Sequence, residues 1–123
     1  MRWIVDGMNV IGSRPDGWWR DRDRAMAALV AGLERWKPPD EAVTVVFERP
    51  PSPPVESAVV TVTNAPRVAA DAADDEIVRL VAAADDPGGV CVATSDRALA
   101  ERVRALGAQV YPAQRLRDLI DPR

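Results

Sequence analysis

The chain has 123 residues, contains no histidine and one cysteine, and carries a formal net charge of −3. The absence of histidine excludes a Ser-His-Asp triad, a Cys-His pair, an HExxH helix and every imidazole metal ligand. The single cysteine, Cys91, excludes an internal disulfide and a four-cysteine zinc site. Chemistry near neutral pH must therefore come from carboxylates, hydroxyls, arginines or a bound hard metal.

Charge alone does not decide whether nucleic acid is a partner. The net negative charge disfavours it, but all of the 16 basic residues except Lys37 are arginine, which favours bidentate phosphate contacts. No segment has the roughly 18 to 20 apolar residues of a membrane helix. The apolar stretch at the start is too short for a signal peptide, and Asp6 interrupts it. We therefore predict a cytoplasmic protein with no membrane partner.

In the first part of the chain, the sequence predicts one strand before a long helix and one strand after it. Residues 2–6 form a short apolar run that suits a buried strand, and the apolar character resumes at Val10-Ile11 before a polar loop at 12–17. A helix is predicted from about 19 to 36. Its apolar face consists of Met26, Leu29, Val30 and Leu33. The β-branched run 43–47 predicts the second strand.

The second part alternates strands and helices after a proline-rich loop. Strands are predicted at 58–63, 90–94 and 108–111, and helices at 71–84, from Ser95 to Gly107, and at 114–120. The apolar faces of the first two helices consist of Ile77, Leu80, Val81 and Ala84, and of Leu99, Val103 and Leu106. This alternation predicts a single α/β domain over residues 1–123, with a parallel sheet covered by helices on both faces.

Carboxylates follow the predicted strands at several places. Asp6 ends the first strand, Asp74 and Asp75 open a helix, and Asp96 lies just beyond the fourth strand. Each has an ordinary structural explanation, as a turn residue or at a helix start. Together they are expected at one edge of the sheet, where ligands of open parallel sheets bind. Clustered carboxylates repel one another, so a hard divalent cation such as Mg²⁺ is the natural compensation.

Three ordered motifs resemble the NYN branch of the PIN-like ribonucleases, and most closely its small bacterial YacP-like group. They are Asp6-Gly7-Met8-Asn9-Val10, Ala73-Asp74-Asp75-Glu76-Ile77 and Thr94-Ser95-Asp96-Arg97. The resemblance covers essentially the whole chain. It implies a PIN-like fold with strand order 3-2-1-4-5. It also implies a metal-dependent endoribonuclease site, for which we expect Mg²⁺ or Mn²⁺ as the metal and tRNA, mRNA or rRNA as the substrate. A ribosome or another partner is a candidate for supplying the geometry of the substrate.

The resemblance also assigns roles to individual residues. Asp6, Asp74, Asp75 and Asp96 match the family's acidic metal-site positions. Asn9 matches a polar residue that supports the first aspartate or contacts substrate, and Ser95 matches a hydroxyl beside the last aspartate. The sequence departs from the family in two places: Phe47-Glu48-Arg49-Pro50 replaces a Phe-Asp-Gly motif, and Ala100 stands where some relatives carry an acid.

Arginines near the predicted acidic edge are candidates for binding RNA phosphates. Arg14, Arg20, Arg22 and Arg24 cluster after the first strand, and Arg97 follows Asp96. Pairing with Asp21 and Asp23 is the alternative explanation for the cluster. Trp18-Trp19 can stack on bases, although such residues more often pack a loop onto a helix.

Two other functions compete with the metal-dependent endoribonuclease. A non-catalytic PIN-like module that binds RNA or a ribonucleoprotein is favoured by Glu in place of Asp at position 48 and by the missing acid at position 100. A phosphatase of the haloacid dehalogenase type is disfavoured because that family needs Asp-x-Asp after the first strand, and position 8 is Met.

Overall fold

The computed structural model describes residues 1–69 and 71–122. Within those ranges the strands are Arg2–Asp6 (β1), Ala42–Phe47 (β2), Thr61–Asn64 (β3), Val90–Ala93 (β4) and Gln109–Tyr111 (β5). The α-helices are Gly7–Ile11 (α1), Arg22–Trp36 (α2), Ala72–Ala82 (α3), Arg97–Ala105 (α4) and Ala113–Ile120 (α5). Short 3₁₀ turns cover Trp18–Arg20 and Pro87–Gly89.

The strands form one parallel sheet in the order β3-β2-β1-β4-β5, which confirms the predicted fold class and strand order. β1 is the central strand, and its register pairs Ile4 with Thr44 of β2 and Val92 of β4. Ile4 and Val5 are fully buried because helices cover both faces of the sheet. The order of the strands in the sheet places the carboxyl ends of β2, β1 and β4 side by side.

Helices cover the two faces of the sheet with separate cores. On one face α1, α2 and α5 pack together, and Leu33 of α2 and Leu116 of α5 are completely buried there. On the other face α3 and α4 pack through Ile77 and Leu99. No helix in the described ranges is long and apolar enough to cross a membrane. Because α1 and α3 begin at the carboxyl edge of the sheet, both of them border the same surface.

The helix α1 was not predicted, and it starts immediately after the central strand. Gly7 makes this possible, because a Cβ at this position would lie 2.6 Å from the ring of Phe47. The chain therefore turns into the helix directly against β2. Val10 and Ile11 are buried in the core with α2 and α5, so tertiary packing supports a helix that is too short to form alone.

Several predicted boundaries were wrong for local reasons. The strand predicted at 58–63 begins only at Thr61, because the Ser57 hydroxyl accepts hydrogen bonds from the amides of Val59 and Val60, each at 3.1 Å. The long helix begins at Arg22, not about residue 19, since the Asp21 carboxylate accepts the Arg24 amide at 3.1 Å.

The predicted helix from Ser95 to Gly107 is also shorter than expected. It ends at Ala105, and Leu106 is 38% exposed and does not belong to the buried stripe. At its start, the Asp96 carboxylate accepts the Leu99 amide at 3.0 Å. Asp96, not Ser95, is therefore the N-cap residue.

Candidate active site

Three neighbouring strands end in polar residues at the carboxyl edge of the sheet. Asp6 is the last residue of β1, Glu48 follows β2, and Thr94 follows β4. Asp96 is the N-cap of α4, and Asp74 lies in the first turn of α3. Because β1 lies between β2 and β4, Asp6 is at the centre of this group, as expected for an open parallel sheet.

Asp6 is the most strongly perturbed acid of the edge. It is only 6% exposed, and burial raises the pKa of its carboxyl from 3.8 to about 7. The hydrogen bond from Thr94 lowers this pKa, whereas the negative charges of Asp74, Asp96 and Glu48 raise it further. These four carboxylates therefore form one electrostatic unit, which we call the acidic cluster. A buried carboxyl with acidic neighbours is typical of a functional site.

Thr94 links two members of the acidic cluster. Its hydroxyl donates a hydrogen bond to Asp6 Oδ2 at 2.8 Å and accepts one from the Asp96 amide at 3.1 Å. Because Thr94 is 1% exposed, both bonds are shielded from water. The hydroxyl has one proton and two acceptor lone pairs, so it can accept the Asp96 amide and at the same time donate to the ionised form of Asp6.

The two adjacent aspartates of α3 have different surroundings. Asp74 is half-buried, and its pKa is raised by burial and by the charges of Asp96, Asp71 and Asp75, against the lowering effect of Arg102. The Asp75 side chain is 70% exposed and pairs with Arg102 of α4 at 3.0 Å. The structure therefore groups Asp74 with Asp6 and Asp96, and it directs Asp75 toward α4.

Asn9 and Ser95 connect the elements around the acidic cluster. The Asn9 side-chain oxygen accepts a hydrogen bond from the Ser95 amide at 2.8 Å. The Ser95 hydroxyl in turn accepts the Ala113 amide at 3.0 Å, at the start of α5. These bonds fix α1, the end of β4 and α5 relative to one another. In the structure both side chains therefore join neighbouring elements; the resemblance had matched Asn9 to a residue that supports the first aspartate or contacts substrate, and Ser95 to a hydroxyl beside the last aspartate.

The arginines predicted to bind substrate are divided between different surroundings. Arg14 is held by Asp118 at 2.8 Å and Asp121 at 3.1 Å, so its guanidinium ties the loop to α5. Arg20 and Arg22 lie over the rings of Trp19 and Trp18, at 6.0 and 5.3 Å from the ring centroids.

Arg97 lies in an open cavity of about 480 Å³ that also includes Thr94, Ser95 and Pro112. Arg97 is therefore the arginine, among those predicted to bind substrate, that lies beside the end of β4. The two tryptophans differ as well: Trp18 packs against the core, whereas Trp19 is 49% exposed.

Two site residues received no definite role from the sequence. Glu48 enters the acidic cluster because β2 is the neighbour of β1, although the expected Phe-Asp-Gly motif is absent. Thr94 lies between the predicted strand and Asp96, and its hydroxyl becomes important only because the fold buries it against Asp6. A hydroxyl at the end of a strand beside the central one is the signal that identifies Thr94.

The donor atoms of the acidic cluster suit a hard divalent cation. They are carboxylate oxygens, and the ionised form of buried Asp6 needs a nearby positive charge. In the described part of the chain, no group of three or more His, Cys, Asp or Glu side chains is arranged to hold a metal ion. Because Mg²⁺ usually uses one or two carboxylates and keeps several waters, the residues fit an ion that is held partly through water.

The sheet order and the site at its carboxyl edge define a PIN-like domain of the ribonuclease type. A family model described as the YacP-like NYN domain matches residues 3–122, and the chain belongs to this family. The resemblance seen in the three motifs is thereby confirmed.

A solved structure supports the same assignment. The chain is similar to a point mutant of Rae1 (YacP) from Bacillus subtilis, with 25% sequence identity and a TM-score of 0.74. The match covers 98% of this chain and 74% of the other. No curated protein sequence matches the chain.

Proposed function

We propose that the chain is a metal-dependent endoribonuclease that hydrolyses RNA phosphodiester bonds at the acidic cluster. The observation that carries this proposal is the burial of Asp6 against Glu48, Asp74 and Asp96, which raises its pKa to about 7. Such an arrangement destabilises the ionised Asp6 in the metal-free protein, so it is expected where a ligand compensates. Membership of a ribonuclease-type family supports RNA as the substrate.

The residues of the acidic cluster would have different roles in the reaction. Asp6 and Asp96, linked through Thr94, would hold Mg²⁺ or Mn²⁺ directly or through water, with Glu48 adding negative charge from β2. When bound, the ion would supply positive charge for the phosphate under attack. Asp75 would not hold the ion, because its carboxylate already forms an ion pair with Arg102.

Asp74 is the candidate general base. It is half-buried, and burial together with the neighbouring negative charges raises its pKa, which makes its carboxylate a stronger base. A carboxylate oxygen of Asp74 would orient a water molecule and take one of its protons as the water oxygen attacks phosphorus. The bond from phosphorus to the leaving oxygen then breaks, and that oxygen takes a proton from solvent. Asn9 and Ser95 would keep α1, β4 and α5 in place around the reaction.

The direct test is cleavage of a labelled RNA by the purified chain. We expect cleavage with Mg²⁺ or Mn²⁺ and none with EDTA. Asp6→Asn should lose activity because it removes a metal ligand, and Asp74→Asn should lose at least about 100-fold, as for a lost general base. Asp85→Asn is the matched control, since Asp85 is exposed and lies outside the acidic cluster. Equal cleavage in EDTA, or by Asp6→Asn, would overturn the proposal.

A non-catalytic RNA- or ribonucleoprotein-binding module is the second candidate. The observation in its favour is that no three potential ligand side chains within residues 1–69 and 71–122 are arranged to hold an ion. Buried Ala100 adds no acid of the kind some relatives carry. RNA binding without cleavage under any metal condition would support this candidate. Cosedimentation with purified ribosomes would test the ribosome as the partner that presents the RNA.

A further inference from the structure

An open groove runs along α2 on the face of the sheet that carries α5. Its volume is about 540 Å³. Ala25, Ala28 and Gly32 of α2 form much of its floor, with Ile120 of α5 beside Gly32. These small residues leave space along the helix. Because the floor is largely apolar, the groove can accept flat apolar groups as well as the charges that its walls attract.

The walls of the groove carry arginines that have no ion-pair partner. In the described ranges, Arg20, Arg24 and Arg35 are exposed and form no salt bridge. Arg24 and Arg35 are both on α2, about three helical turns and about 16 Å apart, so they lie on the same side of the helix. Among the described residues, the groove thus presents separated positive charges without ion-pair partners along one line.

The acids that line the groove are already engaged. Asp16 forms an ion pair with Arg117, and Asp121 pairs with Arg117 and Arg14. Asp21 accepts the Arg24 amide and caps α2. These carboxylates hold the walls together, so the cations of Arg24 and Arg35 remain available to a ligand. A polyanion is the class of ligand that this pattern attracts.

Arg22 and Trp18 connect the surroundings of the acidic cluster with the groove. Glu48 and Arg22 line the same small cavity beside Met8. The Arg22 guanidinium lies 5.3 Å from the centroid of the Trp18 ring, and Trp18 forms part of the wall of the groove. A chain that starts at the acidic cluster can therefore reach the groove over Arg22 and Trp18.

We infer that this groove binds the sugar-phosphate backbone of single-stranded RNA on one side of the cleavage point, with Arg24 and Arg35 on separate phosphates. The inference rests on the proposed function and specifies the path of the substrate. Spaced arginines beside an apolar floor suit a strand that offers phosphates and bases together. Because helix α2 runs from the carboxyl edge of the sheet to the opposite edge, RNA in the groove extends well beyond the reacting phosphate.

The test measures the binding of a fluorescein-labelled 20-nucleotide oligouridine by anisotropy in EDTA. The double variant Arg24→Gln with Arg35→Gln is compared with Arg2→Gln with Arg115→Gln, which removes two exposed, unpaired arginines outside the groove. We expect the groove variant to bind at least about 10-fold more weakly. The slope of log affinity against log salt should fall by about 1.4, for two lost phosphate contacts on a single strand. The control should bind like the wild type.

Equal affinity of the two double variants would overturn the inference. The inference would also be overturned if polyglutamate displaced the probe as effectively as unlabelled oligouridine does at matched charge. The groove would then be a general polyanion site. Thermal unfolding of both variants checks that their folds are intact. Since binding is measured in EDTA, the result holds whether or not the chain cleaves RNA, and a gel of the recovered probe reports cleavage separately.

Discussion

Thr94 donates a hydrogen bond of 2.8 Å to Asp6 across two neighbouring strand ends, and this is the only side-chain hydrogen bond to Asp6 in the described chain. The Asp96 amide donates to the same hydroxyl at 3.1 Å. One buried threonine therefore orients the central carboxylate of the acidic cluster and the backbone at the start of α4. The position of Asp6 relative to Asp96 depends on this hydroxyl.

Replacing Thr94 with Val should raise the pKa of Asp6 still further. The hydrogen bond from Thr94 lowers that pKa, and valine keeps the shape of the side chain but has no hydroxyl. The substitution also leaves the Asp96 amide without its acceptor, so stability should fall by about 1–3 kcal/mol. Carboxyl titration by NMR in EDTA measures the pKa, and Thr94→Ser should restore it. An Asp6 pKa that is unchanged in Thr94→Val would refute this role.

Asp6 should make the metal-free protein less stable as the pH rises. Its pKa is about 7 in the folded chain against an ordinary value of 3.8. Between these values the folded state binds the proton and the unfolded state does not, so the free energy of unfolding decreases with pH across this window and then levels off. Asp6→Asn should remove this dependence and stabilise the protein at pH 8 by at most about 4 kcal/mol.

Urea denaturation in EDTA at a series of pH values measures this effect. Asp85→Asn serves as the control, because Asp85 is exposed. It should retain the slope of the wild type. A wild-type stability that does not decrease between about pH 4 and pH 7 would mean that Asp6 is not buried as a carboxylic acid.

The strands of the sheet could be predicted from the sequence because buried strands of a parallel sheet leave a strong local signal, whereas their order followed only from the resemblance to a known family. Short apolar runs that end at Asp6 and Thr94 already mark the carboxyl edge in the sequence. The helix α1 could not be predicted in this way. Its five residues are too few to form a helix alone. Its stability depends on Val10 and Ile11 packing against helices that come later in the chain.

The arrangement of the acidic cluster was only partly accessible from the sequence. The order of the strands places Asp6 near Asp96, but nothing local indicates which of Asp74 and Asp75 turns toward them. That choice depends on the orientation of α3 against α4, where Arg102 engages Asp75. The ion pairs of Arg14 with α5 likewise join residues that are distant in sequence, so local patterns do not distinguish Arg14 from the other loop arginines.

A divalent cation should stabilise the wild-type chain above pH 7, where Asp6 ionises. A ligand at 100 times its dissociation constant adds about 2.7 kcal/mol to the free energy of unfolding. We expect Mg²⁺ or Mn²⁺ to raise the midpoint of thermal unfolding at pH 8, and EDTA to reverse the rise. Glu48→Gln should respond less, because Glu48 contributes negative charge at Asp6, whereas the exposed Glu56→Gln should respond fully. An undiminished response in Asp6→Asn would place the ion elsewhere.

Asp75→Asn and Asp74→Asn should differ strongly in activity, although the two residues are adjacent. Asp75 is exposed and pairs with Arg102, so its substitution should change stability by about 1 kcal/mol or less. We expect kcat/KM to fall by less than about 10-fold in Asp75→Asn and by at least about 100-fold in Asp74→Asn, the loss typical of a general base. Arg102→Gln should resemble Asp75→Asn, since it removes the same ion pair. If Asp75→Asn loses as much activity as Asp74→Asn while Arg102→Gln does not, Asp75 belongs to the metal site, and the ion pair is only its resting position.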